Sequence, residues 1–342
     1  MRKFLQVILF LLSVLLSYAQ SYDRQRFIAM CYNVENYFDI VDDSLTNDAE
    51  YLPGGMRGWN NQKYKQKQEN IGKAIVAIGS WTPPAIVGLC EVESERGLTD
   101  LTKYSGLKSL KYKYVHYDSP DARGVDVALL YQPDRFQVLG SRPIRVDFPF
   151  APQSKTRDIL YVQGKVPTGD TLNVFICHFP SRLGGELESE ERRVYVAEIL
   201  RNAVDSLFAI FTEPAILIMG DFNDYPTNKS MSEILQALPP NNAEISPRKL
   251  YNLMYPLHIS GKGSHKNQGE WGALDQIIVS GRLLDMNKKF SALPTDVHIF
   301  DADFLLEADD KFLGVQPKRT YIGMRYNHGF ADHLPVYLDF WY

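Results

Sequence analysis

Short apolar, β-branched or aromatic runs recur along this chain and are separated by polar turns, the pattern of half-buried and fully buried strands. The runs predict strands over Arg26–Tyr32, Ala85–Leu89, Tyr112–Tyr117, Val125–Tyr131, Phe136–Ser141, Asp158–Lys165, Leu172–Cys177, Ala215–Met219, Asp275–Val279 and Val336–Phe340. Two stretches carry helical period instead. Tyr64–Gly79 places Ile71, Ile75 and Ile78 on one face, and Leu187–Phe208 turns Val194, Val196, Ile199, Leu200, Ala203 and Leu207 inward with Glu and Arg outside. Strands outnumber helices, and several neighbouring strands read as hairpins, so the sheets are expected to be mixed. No low-complexity linker divides the chain. Leu238–Arg248, punctuated by Pro-Pro and Asn-Asn, and Lys288–Asp310 read as surface insertions in a single domain.

The runs matter because of what ends them. Six polar motifs stand beside them: Asn33-Val34-Glu35-Asn36, Glu91-Val92-Glu93, His178-Phe179-Pro180-Ser181-Arg182, Gly220-Asp221-Phe222-Asn223-Asp224, Leu274-Asp275-Gln276 and Ala331-Asp332-His333. Side chains at strand ends are held at the rim of a sheet. Six of them converge only if the sheet folds back on itself. A convergent set of carboxylates, amides and two imidazoles suits a hard divalent cation and phosphate chemistry.

Composition changes the picture in three places. Arg2 and Lys3 precede the apolar run Phe4–Leu16, and Ser17-Tyr18-Ala19 supplies small residues where a signal peptidase reads. The run is short for a membrane span, so residues 1–19 are expected to be a cleaved signal peptide and residues 20–342 the single catalytic domain, secreted or periplasmic and without a stable membrane anchor. The whole chain of 342 residues has a net charge of −4. The signal segment holds two of its cations and no acid, so the remainder is more acidic still. Bulk charge therefore does not draw a polyanion; a metal and a local basic patch must do so. The three cysteines, Cys31, Cys90 and Cys177, lie next to motifs but lack zinc-ligand spacing, and read as small buried hydrophobes.

Each motif has a chemical reading. Glu91 ends the buried-strand sequence Ala-Ile-Val-Gly-Leu-Cys, and a buried carboxylate needs a cation, better supplied by magnesium than by Arg96. Asn33 and Glu35, two apart in extended chain, share a side. Asn33 suits a phosphate or a metal-bound water, and Glu35 supports from behind. Asp221 and Asn223, spaced the same way, can place the attacking water and a substrate oxygen; Asp, Asn and Gly also simply favour turns. His178 and His333 are the two expected catalytic imidazoles. Asp275, isolated in an apolar strand, suits the task of orienting His333, and Asp118 is the weaker choice for orienting His178. Arg182 and Arg123 sit in loops with glycine, where a guanidinium can grip phosphate. The Gly-Gly at 184–185 lacks the Lys-Ser/Thr ending of a nucleotide phosphate loop.

Taken together and in order from Asn33 to His333, these motifs resemble the endonuclease/exonuclease/phosphatase superfamily with its DNase I-like fold. Gly-Asp-Phe-Asn and Asp-His are specific in combination. The resemblance implies a four-layer α/β/β/α sandwich of two packed mixed sheets, a Mg²⁺ or Mn²⁺ site at one edge, Ca²⁺ as a candidate structural ion, and phosphoester hydrolysis without a covalent intermediate. It implies Glu91 as main metal ligand, with Asn33 and Asp332 beside the metal. It further implies Asp221 and Asn223 as the pair that places the nucleophile, and Asp275–His333 as a dyad. His178 stands where DNase I-like nucleases keep a second histidine and abasic-site repair enzymes a tyrosine. The segments Arg182–Glu186 and Gly269–Gly272 depart toward secreted bacterial members of undefined substrate.

The expectation is thus a monomeric, secreted, metal-dependent phosphodiester hydrolase acting on nucleic acid. A phosphomonoesterase acting on nucleotides, inositol phosphates or sugar phosphates is the alternative, and fits the acidic chain. A sphingomyelinase-like lipid hydrolase needs an exposed apolar hairpin that the sequence does not display. A silent binding module on the same fold predicts broken motifs, and none of the central acidic or histidine positions is lost.

Overall fold

The structure, a computed structural model, describes residues 24–182, 184–240 and 245–342; the expected signal peptide lies outside them. Thirteen strands form two sheets. The first runs β14 (Val297–Ile299), β19 (Val336–Trp341), β1 (Arg26–Tyr37), β2 (Ile86–Val92), β4 (Asp126–Tyr131), β3 (Lys113–His116). The second runs β5 (Gln137–Ile144), β6 (Ile159–Lys165), β7 (Thr171–His178), β8 (Ala215–Asp221), β13 (Asp275–Ser280), β10 (Leu250–Asn252), β9 (Ala237–Leu238). Both are mixed: β1 and β2 are parallel, as are β7 and β8, while β19 and β13 lie antiparallel beside them. Three small ribbons, β11–β12 (His265–Asn267, Glu270–Gly272), β15–β16 (Leu306–Ala308, Val315–Pro317) and β17–β18 (Tyr321–Ile322, Arg325–Tyr326), decorate them.

Alternation along each strand builds three apolar layers. Phe27, Ala29 and Cys31 of β1 meet Val174, Ile176, Leu217, Met219 and Ile277 between the sheets. Ile28, Met30 and Tyr32 pack outward on Ile71, Ile75 and Ile78 of the helix Asn61–Gly79. Phe175, Ile216 and Ile218 pack outward on Val196, Leu200 and Val204 of the helix Glu186–Ile210. This is the four-layer α/β/β/α sandwich. All three cysteines are buried and free, and Cys31 and Cys90 lie in the central layer. No described helix is long and apolar enough to cross a membrane.

Two readings of the pattern need correction. Lys288–Asp310 is not a surface insertion: Phe290, Ser291, Ala292, Val297 and Leu305 are buried, and β14 completes the edge of the first sheet. The helix Glu186–Ile210 does not keep its arginines outside. Arg193 is 0 % exposed, and its Nε lies 2.7 Å from Asp224 Oδ1. A helix over Glu95–Tyr104, capped by Ser94, was hidden by its polar composition.

Candidate active site

The two sheets bring the motifs to one rim through strand register. In the second sheet His178 ends β7, Asp221 ends β8 and Asp275 begins β13; His178 pairs with Asp221, and Asp221 with Asp275. Three chemically active side chains thus lie abreast on neighbouring strands. In the first sheet Asn33 pairs with Cys90, which puts the Asn33–Asn36 turn against Glu91. Asp332 and His333 arrive just before β19. Gly220 makes the convergence feasible, because a Cβ there would lie 1.9 Å from the Cys177 carbonyl oxygen.

The meeting point is one carboxylate oxygen. Asp221 Oδ2 accepts from Asn33 Nδ2 at 3.0 Å, and faces His178 Nε2 at 3.7 Å and His333 Nε2 at 3.8 Å. His333 donates through Nδ1 to Asp275 Oδ2 at 2.6 Å, and Ser264 Oγ donates to the same oxygen at 2.5 Å. Asp275 is buried, and its other oxygen has no partner. His265 stacks obliquely on His333, with ring centres 4.7 Å apart.

Charge and burial drive the two central imidazoles apart. Burial alone would lower His333, but Asp275, Asp221 and Asp332 more than offset it and hold it well above the usual 6.5. Burial lowers His178 well below that value, helped by Arg157 and Arg123. One imidazole is therefore cationic at neutral pH and the other neutral. His178 Nδ1 is buried and unpartnered, so its proton belongs on Nε2, where Asp221 and Glu91 both face it.

A row of carboxylates lies along the other sheet. Glu91 Oε2 accepts from the Asn36 amide at 2.8 Å. Among the described residues its Oε1 accepts no hydrogen bond, and it stands 3.7 Å from Arg123 Nη2. Glu35 accepts from Thr320 N at 2.6 Å, and burial with the neighbouring Asp332 pushes its carboxyl up to about 7. Uncommitted oxygen and surplus negative charge fit a divalent cation. Mg²⁺ needs only one or two carboxylates with water and phosphate, so Glu91 and Asp332 are the residues that would hold it, while both oxygens of Glu35 are taken by Arg319 and Thr320. Among the described residues, His265, Asp332 and His333 form one group of donors within mutual reach, and Asp221, Asp275 and His333 another.

Several expected roles shift. Asn33 lies in extended chain but Glu35 does not: Glu35 and Asn36 have φ of 52° and 54°, and Asn33 Oδ1 accepts from Glu35 N at 3.0 Å. Both ends of the Asn33 amide are thus spent on bracing Glu35 and Asp221. Asn223, at φ 51°, turns likewise around Asp221, whose Oδ1 accepts its N–H at 2.9 Å, and donates Nδ2 to Phe179 O. Asp118 does not orient His178. It is 94 % exposed and its nearest imidazole is His116, at 3.9 Å. Arg182 is committed to the protein: it donates to Asn223 O at 2.7 Å, Glu186 at 3.1 Å and Asn228 at 3.2 Å. It braces the Asp221 loop and has little left for phosphate. Arg157, Ser264, His265 and Arg319 were not anticipated. Arg157 donates to Asp121 at 2.9 Å and to Phe179 O at 2.7 Å, tying the Arg123 loop to the strand end that carries His178. No motif flags these residues, except that His265 is one of only seven histidines.

A sequence profile described as the endonuclease/exonuclease/phosphatase family matches residues 28–341. The chain belongs to this family. It is accordingly a phosphoesterase, of a family in which divalent-metal dependence is typical. No protein of curated function matches the sequence significantly. Solved structures share the fold. A family member from Bacteroides thetaiotaomicron superposes with a TM-score of 0.55 at 16% identity, over 94% of this chain and 99% of its own. Truncated TDP2 from Caenorhabditis elegans gives 0.55 at 18% identity, over 93% and 98%. A mannosyl-6-phosphatase from Bacteroides thetaiotaomicron gives 0.53 at 16% identity, over 92% and 99%.

Proposed function

We propose that this protein is a secreted, divalent-metal-dependent phosphodiester hydrolase acting on nucleic acid. One observation carries the hydrolytic part: Asn33, His178 and His333, from three separate motifs, surround Asp221 Oδ2, and His333 is held by Asp275. Asp221, raised by burial, is placed to orient a water and accept its proton. The His333 imidazolium faces the position where charge builds on the equatorial phosphate oxygens, and His178 Nε2–H donates to a non-bridging oxygen. Glu91 and Asp332 would hold a divalent cation, which would supply charge neutralisation at the phosphate. The second histidine at position 178 supports the diester reading, as the nuclease branch keeps one there. Residues 1–19 support secretion through their charged start, apolar run and small residues.

A second reading, phosphomonoesterase, is favoured by the charge balance: Arg123 and Arg319 are half-exposed at the site of an otherwise acidic chain, which suits a small dianion. Purified protein with Mg²⁺, Mn²⁺ or chelator should be assayed on plasmid, RNA, bis-p-nitrophenyl phosphate and p-nitrophenyl phosphate. The diester should be cleaved faster than the monoester, and chelator should abolish both; monoester preference sinks the nuclease reading. N-terminal sequencing of protein recovered outside the cytoplasm should begin at Gln20, and an intact Met1 would refute signal cleavage.

A further inference from the structure

Three carboxylates follow one another along the rim of the first sheet. Asp332 precedes β19, Glu35 lies in the terminal turn of β1 and Glu91 near the end of β2, in the spatial order β19, β1, β2, β4. An arginine stands at each end of this row. Arg123, just before β4, lies over Glu91 and is a phosphate-binding candidate from its sequence. Arg319, at the other end, had no such signal. Its Nη2 donates to Asp332 Oδ2 at 2.8 Å and its Nε to Glu35 Oε1 at 3.3 Å. Its Nη1 makes no hydrogen bond among the described residues, and its side chain is 45 % exposed.

The fold presents this side chain deliberately. The backbone on either side is fixed by Lys318 N to Leu305 O, Phe330 N to Lys318 O and Asn327 N to Thr320 O. The buried ammonium of Lys67 donates to Thr320 Oγ1, and Thr320 N donates to Glu35. Glu35 is therefore already anchored without Arg319, and a half-exposed ion pair adds little to stability. What two carboxylates do accomplish is to fix the plane of the guanidinium. That leaves Nη1 of a half-exposed guanidinium available beside the carboxylate row. Two other arginines near the site lack this freedom: Arg182 and Arg157 are spent on the protein.

We propose that Arg319 is a substrate-binding residue whose guanidinium grips an anionic phosphate oxygen from the end of the row opposite Arg123. The assignment rests on the phosphoesterase reading of the same site. It makes the site a two-armed anion clamp in which the Asp332–Glu35 pair preorganises one arm.

Purified wild-type protein, Arg319→Gln and Arg319→Lys provide the test. KM and kcat are measured on bis-p-nitrophenyl phosphate. Binding of inorganic phosphate at saturating Mg²⁺, and of Mg²⁺ alone, is measured by titration calorimetry. Arg319→Gln should raise KM and weaken phosphate binding by roughly 10- to 100-fold with kcat nearly unchanged. Arg319→Lys should recover part of the loss, keeping charge without the fork. Mg²⁺ affinity should not weaken. A brace for the carboxylates would behave differently, with weaker Mg²⁺ binding, lower kcat and unmoved KM; that pattern overturns the proposal, as does unchanged phosphate binding. Should the wild type hydrolyse no phosphoester while Arg319→Gln still loses phosphate affinity, the grip stands and the hydrolase reading falls.

Discussion

Asp275→Asn tests the centre of the site with one atom exchanged. The introduced amide can still accept from His333 and leave Ser264 Oγ a partner, so the packing is preserved at a fully buried position. Two things are lost. The 2.6 Å bond to Asp275 Oδ2 changes from charge-assisted to neutral, roughly halving its strength, about 1 kcal/mol or a factor near five. The amide can also turn its NH₂ toward His333 Nδ1, which moves the imidazole proton to Nε2 and removes the imidazolium. Together these should cost a rate factor on the order of 10²–10⁴ in kcat/KM. His333→Ala should cost at least as much and the double variant little more, because the two side chains act as one unit.

The pH dependence fixes the sign. In the folded protein His333 sits well above 6.5, with burial opposed by Asp275, Asp221 and Asp332. Its charged form stabilises the fold fully below the unfolded value near 6.5, and this contribution fades as pH rises through the higher folded value. In chelator, the urea stability gap between wild type and Asp275→Asn should be widest below pH 6.5 and narrow above it. The alkaline limb of kcat/KM should move to lower pH in the variant. Fully additive rate losses across the double-variant cycle, or an unmoved alkaline limb, would refute the dyad.

Two further perturbations separate metal holding from scaffolding. Glu91→Gln keeps shape and the Asn36 contact while neutralising an oxygen that accepts no hydrogen bond. Calorimetry should show Mg²⁺ affinity reduced at least roughly tenfold in a variant with unchanged circular dichroism; unchanged affinity removes Glu91 from the metal site. Arg193→Met leaves Asp224 buried with Ser230 and the more distant Arg182 as company. It should cost about 3–5 kcal/mol in urea unfolding, with part regained by adding Asp224→Asn; a loss below about 1 kcal/mol would show that Arg182 takes over.

Periodicity made the layers legible because each buried strand here writes its two faces into alternate residues. Ile28, Met30 and Tyr32 face one layer, and Phe27, Ala29 and Cys31 the other. It failed where tertiary contacts override composition. Phe290 and Leu305 are buried in a stretch rich in Lys and Asp. Arg193 is buried because Asp224, distant in sequence, receives its charge. The motifs named residues that the fold brings to one rim but not their conformations. An i and i+2 argument assumes extended chain, and it broke at the residues that carry the chemistry. Glu35, Asn36, Glu91 and Asn223 all have φ between 51° and 65°, a region that costs a non-glycine residue free energy.

That departure is itself informative. A left-handed residue ends the extended chain abruptly, so the side chain just before or at the turn stays on the rim rather than alternating into the core. Asn33 and Asp221 each use the following turn in the same way, by accepting the amide two residues on, from Glu35 and Asn223. The two turns come from different sheets, yet they lock onto each other through the Asn33–Asp221 bond. Position and orientation at the hub are therefore set by backbone amides and strand register rather than by long flexible side chains. The arginines, Arg123 and Arg319, stand outside this rigid set and remain half-exposed. Rigid groups serve the reacting phosphorus, where sub-ångström placement governs rate. The half-exposed guanidiniums reach the phosphate from the two ends of the carboxylate row, so substrate affinity is expected to follow the arginines and chemical rate the turns.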